Sequence, residues 1–205
     1  MSPAVLLCTD ADAAAANLAS GAIGCPSCGA GRLRAWGYGR ERVIRAGGGQ
    51  WRRLRPRRGR CSACAATHIL LPSWSAPRRA DAVAVIARAA AASVLRGAGS
   101  ARLGAELGVP AATVRGWLRR LREHAGPMLA QATAEFGRLV AIVETPEGRD
   151  PGPPGPTGSR LGDALAMVTA CAVAAIRWHG QAGTSLAALA GRFGLAAALT
   201  PAPGS

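Results

Sequence analysis

Two patterns of hydrophobic and polar positions divide the chain. Between residues 32 and 71, apolar residues occur in short runs punctuated by glycines, a pattern typical of β-strands. Beyond residue 80, apolar residues recur every three or four positions, which indicates amphipathic α-helices. The predicted strands are 32–36, 42–45, 50–54 and 67–71.

The first helical stretch is predicted to contain three helices, over residues 81–96, 101–107 and 111–122. Asp81 and Ser100 are expected to cap the first two of them. The turn Gly108-Val109-Pro110 joins the second helix to the third, and Gly104 lies where these helices would cross. Two short helices that meet at a three-residue turn, with apolar residues facing inward, are typical of a helix-turn-helix.

The rest of the chain has an alanine-rich helical pattern. One helix is predicted over residues 124–144, before a linker at 145–160 that contains five prolines and four glycines. Two further apolar helices are predicted over 161–178 and 184–199. They can cover the first helical group or pair with a second copy of the chain, so a homodimer through the C-terminal helices is one of two alternatives.

Basic charge is concentrated in the middle of the chain. The 205 residues include 25 arginines and no lysine, and the formal net charge is +14. Residues 32–122 hold 20 of these arginines against three acidic residues, whereas the flanks are slightly acidic. A basic block favours a polyanionic partner, and nucleic acid is favoured over a membrane because no lipid-facing helix accompanies the block.

No segment predicts export or membrane insertion. The N-terminus lacks basic residues, and Asp10 and Asp12 interrupt its apolar stretch. The longest apolar run, 164–176, is 13 residues long, whereas a membrane span needs about 20. We therefore expect a cytoplasmic, nucleoid-associated protein whose cysteines are reduced.

Four of the six cysteines form two C-x2-C pairs, Cys25 with Cys28 and Cys61 with Cys64. This spacing brings two thiolates to one side of a tight turn, and two such turns complete a tetrahedral site with no open position. The pattern predicts a structural Zn²⁺ in a zinc ribbon, with the first predicted strands between the two pairs.

Other interpretations of the cysteines are less well supported. Chance spacing and a thioredoxin-like redox motif are the alternatives, but no strand-helix pattern follows either pair. His68 lies near Cys64 in sequence, yet four thiolates already satisfy zinc, so it is interpreted as a strand residue. Cys8 and Cys171 fit no motif and are expected to be small buried residues.

Arginines crowd the second cysteine pair. We expect the zinc ribbon to hold a nucleic-acid backbone through Arg53, Arg55, Arg57 and Arg58. Trp36 and Trp51 interleave with the arginines. We favour a place in the core for both tryptophans over the alternative, stacking on bases.

The third predicted helix has an outer face that suits a DNA groove. Its small residues permit close approach, and Arg115 is predicted to read a base because arginine forms a bidentate pair with guanine. Arg119 and its neighbours would contact phosphates, as would Ser100 at a helix N-terminus. A solvated arginine face is the alternative. The predicted contacts are Ser100, Ala112, Thr113, Arg115, Gly116, Arg119, Arg120 and Arg122.

Four segments together resemble the N-terminal head of insertion-element transposases and related small bacterial DNA-binding proteins. They are Cys25-Pro-Ser-Cys-Gly, Arg57-Arg-Gly-Arg-Cys-Ser-Ala-Cys, Thr67-His-Ile-Leu-Leu-Pro and Leu107-Gly-Val-Pro-Ala-Ala-Thr-Val-Arg-Gly-Trp-Leu-Arg-Arg. The resemblance covers residues 20–123. It implies a zinc ribbon and a helix-turn-helix that bind terminal repeats; in such transposases, an RNase H-like domain with three metal-binding carboxylates follows and cuts DNA.

The C-terminal third offers no catalytic constellation. The 83 residues after Arg122 are too few for the RNase H-like fold, and their acidic residues cluster around the linker. Cys171 and His179 stand eight residues apart, which is about 80° from alignment on a helix. We expect neither an enzyme nor a small-molecule substrate; a transposase activity would need another chain.

The sequence thus predicts a mainly α fold with a small β zinc ribbon, and a sequence-specific double-stranded DNA-binding protein with a transposase-head-like or transcription-regulator-like role. The alternatives are a non-catalytic subunit or truncated remnant of a transposase, and a zinc-ribbon adaptor that binds protein or RNA. The predicted segments are a helical lead-in (1–20), the zinc ribbon (21–76), the helix-turn-helix (78–123), a helix (124–144), the linker (145–160) and a C-terminal helical segment (161–205).

Overall fold

Strands occupy the N-terminal part of the fold and helices most of the remainder. The computed structural model describes residues 5–8, 11–142 and 152–179. The strands are β1 (Val5–Cys8), β2 (Leu33–Tyr38), β3 (Arg42–Gly47), β4 (Gln50–Leu54), β5 (Arg57–Cys61) and β6 (Thr67–Pro72). The helices are α1 (Ala11–Ser20), α2 (Val83–Arg96), α3 (Ser100–Leu107), α4 (Ala111–Glu123), α5 (Ala125–Ile142) and α6 (Arg160–His179). The coarse prediction of a mainly helical fold with a small β region is confirmed.

A four-stranded sheet carries the cysteine pairs. Its strand order is β1-β6-β5-β2, with β1 parallel to β6 and the other neighbours antiparallel. The prediction of a wholly helical lead-in over residues 1–20 is therefore wrong at Val5–Cys8. This apolar run of four residues gains hydrogen bonds by pairing with the edge of β6, and periodicity cannot distinguish so short a run from a helix.

Strand β5 has no apolar pattern and was not among the predicted strands. It forms because β2 and β6 pair with it on both sides. Gly59 permits this close packing, since a Cβ there would lie 2.9 Å from Leu18 Cδ2 on α1 and 3.2 Å from Leu33 Cβ. The small core between the sheet and α1 thus depends on a residue with no side chain.

Strands β3 and β4 form a separate hairpin that joins the helical part. Gly48 and Gly49 make its two-residue turn with positive φ values of 58° and 73°, a conformation that glycine adopts without strain. Ile44 and Leu54 of this hairpin are buried in the same core as apolar residues of α2, α3 and α4. The hairpin therefore connects the β region to the helices through a shared core.

The caps of α2 and α3 differ from the prediction. Asp81 does not cap α2: the N-cap is Ala82, and the Asp81 carboxylate instead pairs with Arg45 of β3 at 2.8 Å. Backbone bonds between the Ala80–Ala82 segment and Arg45 hold it in this position. Ser100 is likewise the first residue of α3 and not its cap, because Gly99 occupies the N-cap position.

The connection between α3 and α4 follows the prediction. Three residues join the helices, and Gly108 at the C-cap of α3 has a φ of 63°. A Cβ at Gly104 would lie 2.7 Å from the carbonyl oxygen of Val109, so the close approach expected at this glycine is confirmed. Trp117 of α4 is fully enclosed in the core beneath.

Helices α5 and α6 pack against each other and extend the fold. Cys171 is buried as predicted, and its thiol donates a hydrogen bond to the carbonyl oxygen of Ala132, 3.1 Å away. Of the predicted linker, residues 152–159 form neither helix nor strand. The predicted helix at 184–199 lies outside the described residues. None of the described helices combines the length and apolarity required to cross a membrane.

Candidate metal centre and basic surfaces

The sulfur atoms of Cys25, Cys28, Cys61 and Cys64 all lie within 4.8 Å of one another. Two pairs across the cluster, Cys25 with Cys64 and Cys28 with Cys61, are each separated by 3.7 Å. Within the described residues, no other group of three or more potential metal ligands is found. The predicted cluster of four cysteines is therefore present, and it can hold a metal ion.

Local backbone structure shapes both cysteine pairs. The amide of Gly29 donates to the carbonyl of Cys25 at 2.9 Å and closes the first turn. The amide of Ser27 points at Cys25 Sγ, 3.4 Å away, and the amide of Ala63 points at Cys61 Sγ, 3.3 Å away. Such amide–sulfur bonds stabilise the charge of thiolates.

The donor set and its dimensions fit a tetrahedral thiolate site. Zinc–sulfur bonds of about 2.3 Å place tetrahedral sulfurs about 3.8 Å apart, close to the 3.7 Å seen across the cluster. Cys25 and Cys61 are buried, whereas Cys28 and Cys64 are exposed, so the side of Cys28 and Cys64 is open to an entering metal.

The thiols of the cluster differ in acidity. The amide of Cys64 donates to Cys61 Sγ and lowers the pKa of Cys61 to about 6. The amide of Ala66 by itself lowers the pKa of Cys64. Desolvation and the neighbouring sulfurs outweigh this effect and raise the pKa of Cys64 to about 12. At neutral pH the metal-free cluster therefore retains a proton that a metal must displace.

His68 lies directly beside the cluster. It is a residue of β6, as predicted, and is completely buried, with its Nε2 atom 3.5 Å from Cys25 Sγ. It does not belong to the group of four close ligands. The ring therefore contacts a sulfur of the cluster, a neighbour that the sequence spacing did not reveal.

Aromatic rings are exposed on the β region. Trp36, Tyr38 and Trp51 are 50%, 45% and 56% exposed, so the favoured prediction of a core position for both tryptophans is wrong. In the hairpin, Ile44 occupies the buried face, and its neighbour Arg45 therefore points the other way. Trp51 pairs with Arg45 in register and shares that outer face.

Guanidinium groups cover these rings. Arg60 lies 4.5 Å from the ring centre of Trp36, and Arg45 lies 4.8 Å from that of Trp51. Tyr38 carries two, Arg57 at 4.8 Å and Arg55 at 5.0 Å. Apart from the interleaving of arginine and aromatic residues, the sequence contained no signal for Tyr38 or for these pairings.

The four arginines predicted to contact a nucleic-acid backbone have different surroundings. Arg55 and Arg57 stack on Tyr38, whereas Arg53 pairs with Glu41 at 3.3 Å. Arg58 is partly buried and lines an open cleft of about 620 Å³ beside the cysteine cluster.

Helix α4 presents the predicted outer face. Its apolar stripe is buried, as the sequence pattern predicted, through Val114, Trp117, Leu118 and Leu121. Ala112, Arg115, Arg119 and Arg122 are exposed, and the remaining predicted residues, Ser100, Thr113, Gly116 and Arg120, are partly buried.

The arginines of α4 are engaged to different degrees. Arg119 lies 3.6 Å from Glu123 one turn further on, and Arg122 reaches Ser93 Oγ at 3.5 Å. Arg115, nearer the N-terminus of the helix, forms no ion pair with any described residue. Its guanidinium is therefore the most available of the three.

Burial makes Cys171 unsuitable as a nucleophile. Desolvation raises its pKa to about 11, so the sulfur is a neutral thiol at physiological pH. This agrees with the expectation of a structural residue, although the His179 side chain is outside the description.

The part of the chain from the cysteine cluster to α4 is similar to a known protein family. A family model described as a domain of unknown function (DUF6431) matches residues 25–117. The matched range begins at the first cysteine of the cluster, includes the exposed aromatic residues and ends within α4. Comparison with curated proteins and with solved structures gives no significant match.

Proposed function

We propose that this chain is a zinc-stabilised, sequence-specific double-stranded DNA-binding protein in which α3 and α4 act as a helix-turn-helix. The observation that carries the proposal is the outer face of α4, where small residues flank an exposed Arg115 that pairs with no described acid, opposite a buried apolar stripe. The role is that of a transposase head or a transcription regulator.

The dimensions of α4 suit a major groove. Its 13 residues correspond to a length of about 20 Å, and a helix with its side chains is about as wide as the groove. Recognition helices contact base edges with their N-terminal residues. Arg115 lies in that part of α4, whereas Arg119 forms an ion pair with Glu123. Base reading is therefore assigned to Arg115 and phosphate contact to Arg119.

Zinc is the metal proposed for the cysteine cluster. Four cysteine sulfurs within 4.8 Å of one another can form a closed thiolate site, and closed thiolate sites in proteins hold structural zinc. The metal would fix the two cysteine turns relative to each other and thereby the sheet that carries the ribbon arginines. Metal analysis of the undenatured protein tests this: we expect one zinc per chain, and protein without zinc would contradict it.

The proposal does not include catalysis by this chain. In the described residues, the cysteine group is the only cluster of potential metal ligands, and it offers thiolates and not the carboxylates that a two-metal nuclease uses. We expect no DNA strand cleavage with added Mg²⁺ or Mn²⁺. Metal-dependent nicking by the pure protein would overturn this part of the proposal.

A homodimer is proposed for the DNA-bound form. Leu161 and Ala164, at the start of α6, pack into the core of α2–α4, so α6 covers the helical group. Further along, Val173 is exposed and offers an apolar position to a second copy. Two copies would place two α4 helices on successive half-sites. Sedimentation of the protein on one selected duplex tests this: we expect two chains per duplex, whereas one chain would contradict it.

The direct test of base reading is the Arg115→Ala variant, with Arg138→Ala as a matched control. Both arginines are exposed, but Arg138 lies on α5 and pairs with Glu135. Loss of a bidentate base contact should cost about 1–3 kcal/mol and relax the preference at one position. An unchanged preference profile in Arg115→Ala would reject the assigned face.

A further inference from the structure

The open cleft beside the cysteine cluster is basic, and the duplex contact proposed at α4 does not use it. We call it the basic cleft: its lining includes Arg40, Arg58 and Thr67, with Ile69 as an apolar wall. Among the described residues, no aspartate or glutamate lines it. Its volume of about 620 Å³ lies within the range of pockets that enclose small ligands, about 300–1,000 Å³. The cleft therefore has the size of a ligand site and the charge of an anion site.

The sheet register places three of these side chains on one face. Arg58 of β5 pairs with Ile69 of β6, so both side chains point to the same side of the sheet. Thr67 lies two residues before Ile69 and shares that side. The opposite side packs on α1, where Gly59 approaches Leu18. The guanidinium of Arg58 and the hydroxyl of Thr67 are therefore neighbours on the side of the sheet that faces away from α1.

The positive charge of the basic cleft is uncompensated. Within the described part of the chain, Arg40 and Arg58 form neither an ion pair nor a side-chain hydrogen bond. Glu41, the acid next to Arg40 in sequence, is held by Arg53 at 3.3 Å. Arg58 is also half-buried, and a charge that is partly removed from water gains most from an ionic partner.

Charge balance for the cysteine cluster is the alternative role of Arg58. Cys64 lines one end of the cleft, and four thiolates around Zn²⁺ carry a net negative charge. Backbone amides already point at the sulfurs of the cluster, as the amide of Ser27 does at Cys25. Because the alternative ties Arg58 to the metal, the zinc content of an Arg58 variant distinguishes the two roles.

The phosphate group of a monoester matches the basic cleft. It carries a charge of about −1.5 to −2 near pH 7, whereas each internal phosphate of a nucleic-acid backbone carries about −1. Arginine binds phosphate oxygens through paired N–H donors, and a threonine hydroxyl donates one further hydrogen bond. Two guanidinium groups thus balance the monoester, and the apolar wall leaves a place for its organic part.

We propose that the basic cleft binds the phosphate group of a phosphate monoester, held by Arg40, Arg58 and Thr67. The ester is either a small free molecule or the 5′ terminus of a DNA strand, since both present the same chemical group. The site lies outside α4, so this inference goes beyond the proposed duplex recognition and does not depend on it.

The test uses the full zinc-loaded chain with thymidine 5′-monophosphate, and with thymidine as the same ligand without its phosphate. Calorimetric titration should show the nucleotide binding at least about tenfold more tightly than the nucleoside. Arg40→Gln and Arg58→Gln should each bind the nucleotide roughly tenfold more weakly, because each removes a charged hydrogen bond. The matched control is Arg138→Gln, an exposed arginine on α5, which should bind within about twofold of the wild type.

Two results would overturn the inference. One is equal binding of nucleotide and nucleoside, or normal nucleotide binding by both cleft variants. The other is an Arg58→Gln variant that loses zinc but keeps its affinity for the nucleotide, since this arginine would then serve the cysteine cluster. If Arg58→Gln loses both, Arg40→Gln decides, because Arg40 follows β2 and belongs to no strand.

Two blunt duplexes identify the source of the phosphate. If a 5′-phosphorylated duplex displaces the nucleotide and its 5′-hydroxyl counterpart does not, the cleft takes a DNA end. If neither displaces it, the cleft takes a free ester. Equal displacement by both would show that internal phosphates occupy the cleft, which contradicts the monoester.

The proposed function and this inference can fail separately. Arg115→Ala should bind thymidine 5′-monophosphate normally, and Arg40→Gln should keep the base preference of the wild type in a selected duplex. A protein that selects a duplex but does not bind the nucleotide contradicts the inference alone, and one that binds the nucleotide but selects no duplex contradicts the proposed function alone.

Discussion

Gly31 shows how little space surrounds the four-cysteine cluster. A Cβ at this position would overlap Cys61 Sγ and lie 2.9 Å from the amide nitrogen of Ala63, which belongs to the backbone of the second turn. The cluster thus requires glycine at position 31, although this residue is not one of the four cysteines. The spacing of the cysteines predicted the four clustered residues, because that spacing is a local property of the sequence. The need for glycine at position 31 arises from a tertiary contact, which no sequence pattern indicates.

Substitution of this glycine should weaken metal binding. Gly31→Ala pushes Cys61 from its position, and disturbance of the groups that orient a ligand typically costs about 10–100-fold in metal affinity. Gly24→Ala is the matched control, since a Cβ there meets nothing within 4 Å. Competition with a chelating dye measures both. Equal affinities for the two variants would show that the crowding at Gly31 is irrelevant.

Metal affinity should rise with pH. The pKa of Cys64 is raised to about 12 in the metal-free cluster, so its thiol is protonated at neutral pH and must lose that proton to bind metal. Cys61, with a pKa lowered to about 6, is already a thiolate there. Apparent affinity should therefore increase about tenfold per pH unit for each proton displaced, between about pH 6 and 8. An affinity independent of pH in this window would contradict the protonation state given to Cys64.

The connection between α3 and α4 sets how the exposed face of α4 is presented. The approach of Gly104 to Val109 and Ala111 fixes the distance between the end of one helix and the start of the next. The apolar periodicity predicted both helices to within about a residue at each end. It failed for β5, which has three arginines, a glycine and a cysteine and which forms where two neighbouring strands pair with it.

A side chain at the crossing of these helices should destabilise the protein. In Gly104→Ala the new methyl group meets backbone atoms that cannot rotate away, and we expect a loss of about 1–3 kcal/mol. Gly137→Ala on α5 is the control. A Cβ there meets nothing within 4 Å, and the better helix propensity of alanine should stabilise that variant by about 0.5–1 kcal/mol. Urea unfolding measures both, and a neutral Gly104→Ala would contradict the close approach.

At the scale of the whole molecule, the β region and the helices share one core. Ile44 and Leu54 of the hairpin, together with Leu71 of β6, are buried with the apolar residues of α2–α4 and the start of α6. Separate segments were predicted because the sequence shows two periodicities, one for strands and one for helices. The common core could not be predicted, since it depends on which faces of the hairpin and of α2 meet.

Metal removal should therefore affect more than the β region. A metal bound only by the folded state stabilises it by an amount that grows with metal concentration over the dissociation constant. Because the hairpin packs on α2, we expect a chelator to lower the melting temperature of the helical circular dichroism signal as well. A helical transition that is unchanged by chelator would show that the shared core does not couple the two parts.

Selection of bound duplexes from a random DNA pool, with the zinc-loaded wild type beside Arg115→Ala and Arg138→Ala, tests the proposed function most directly. We predict an enriched motif for the wild type and for Arg138→Ala, and a relaxed preference at one base position for Arg115→Ala. Enrichment of no motif by the wild type, with binding that depends only on salt and duplex length, would contradict sequence-specific recognition by α4.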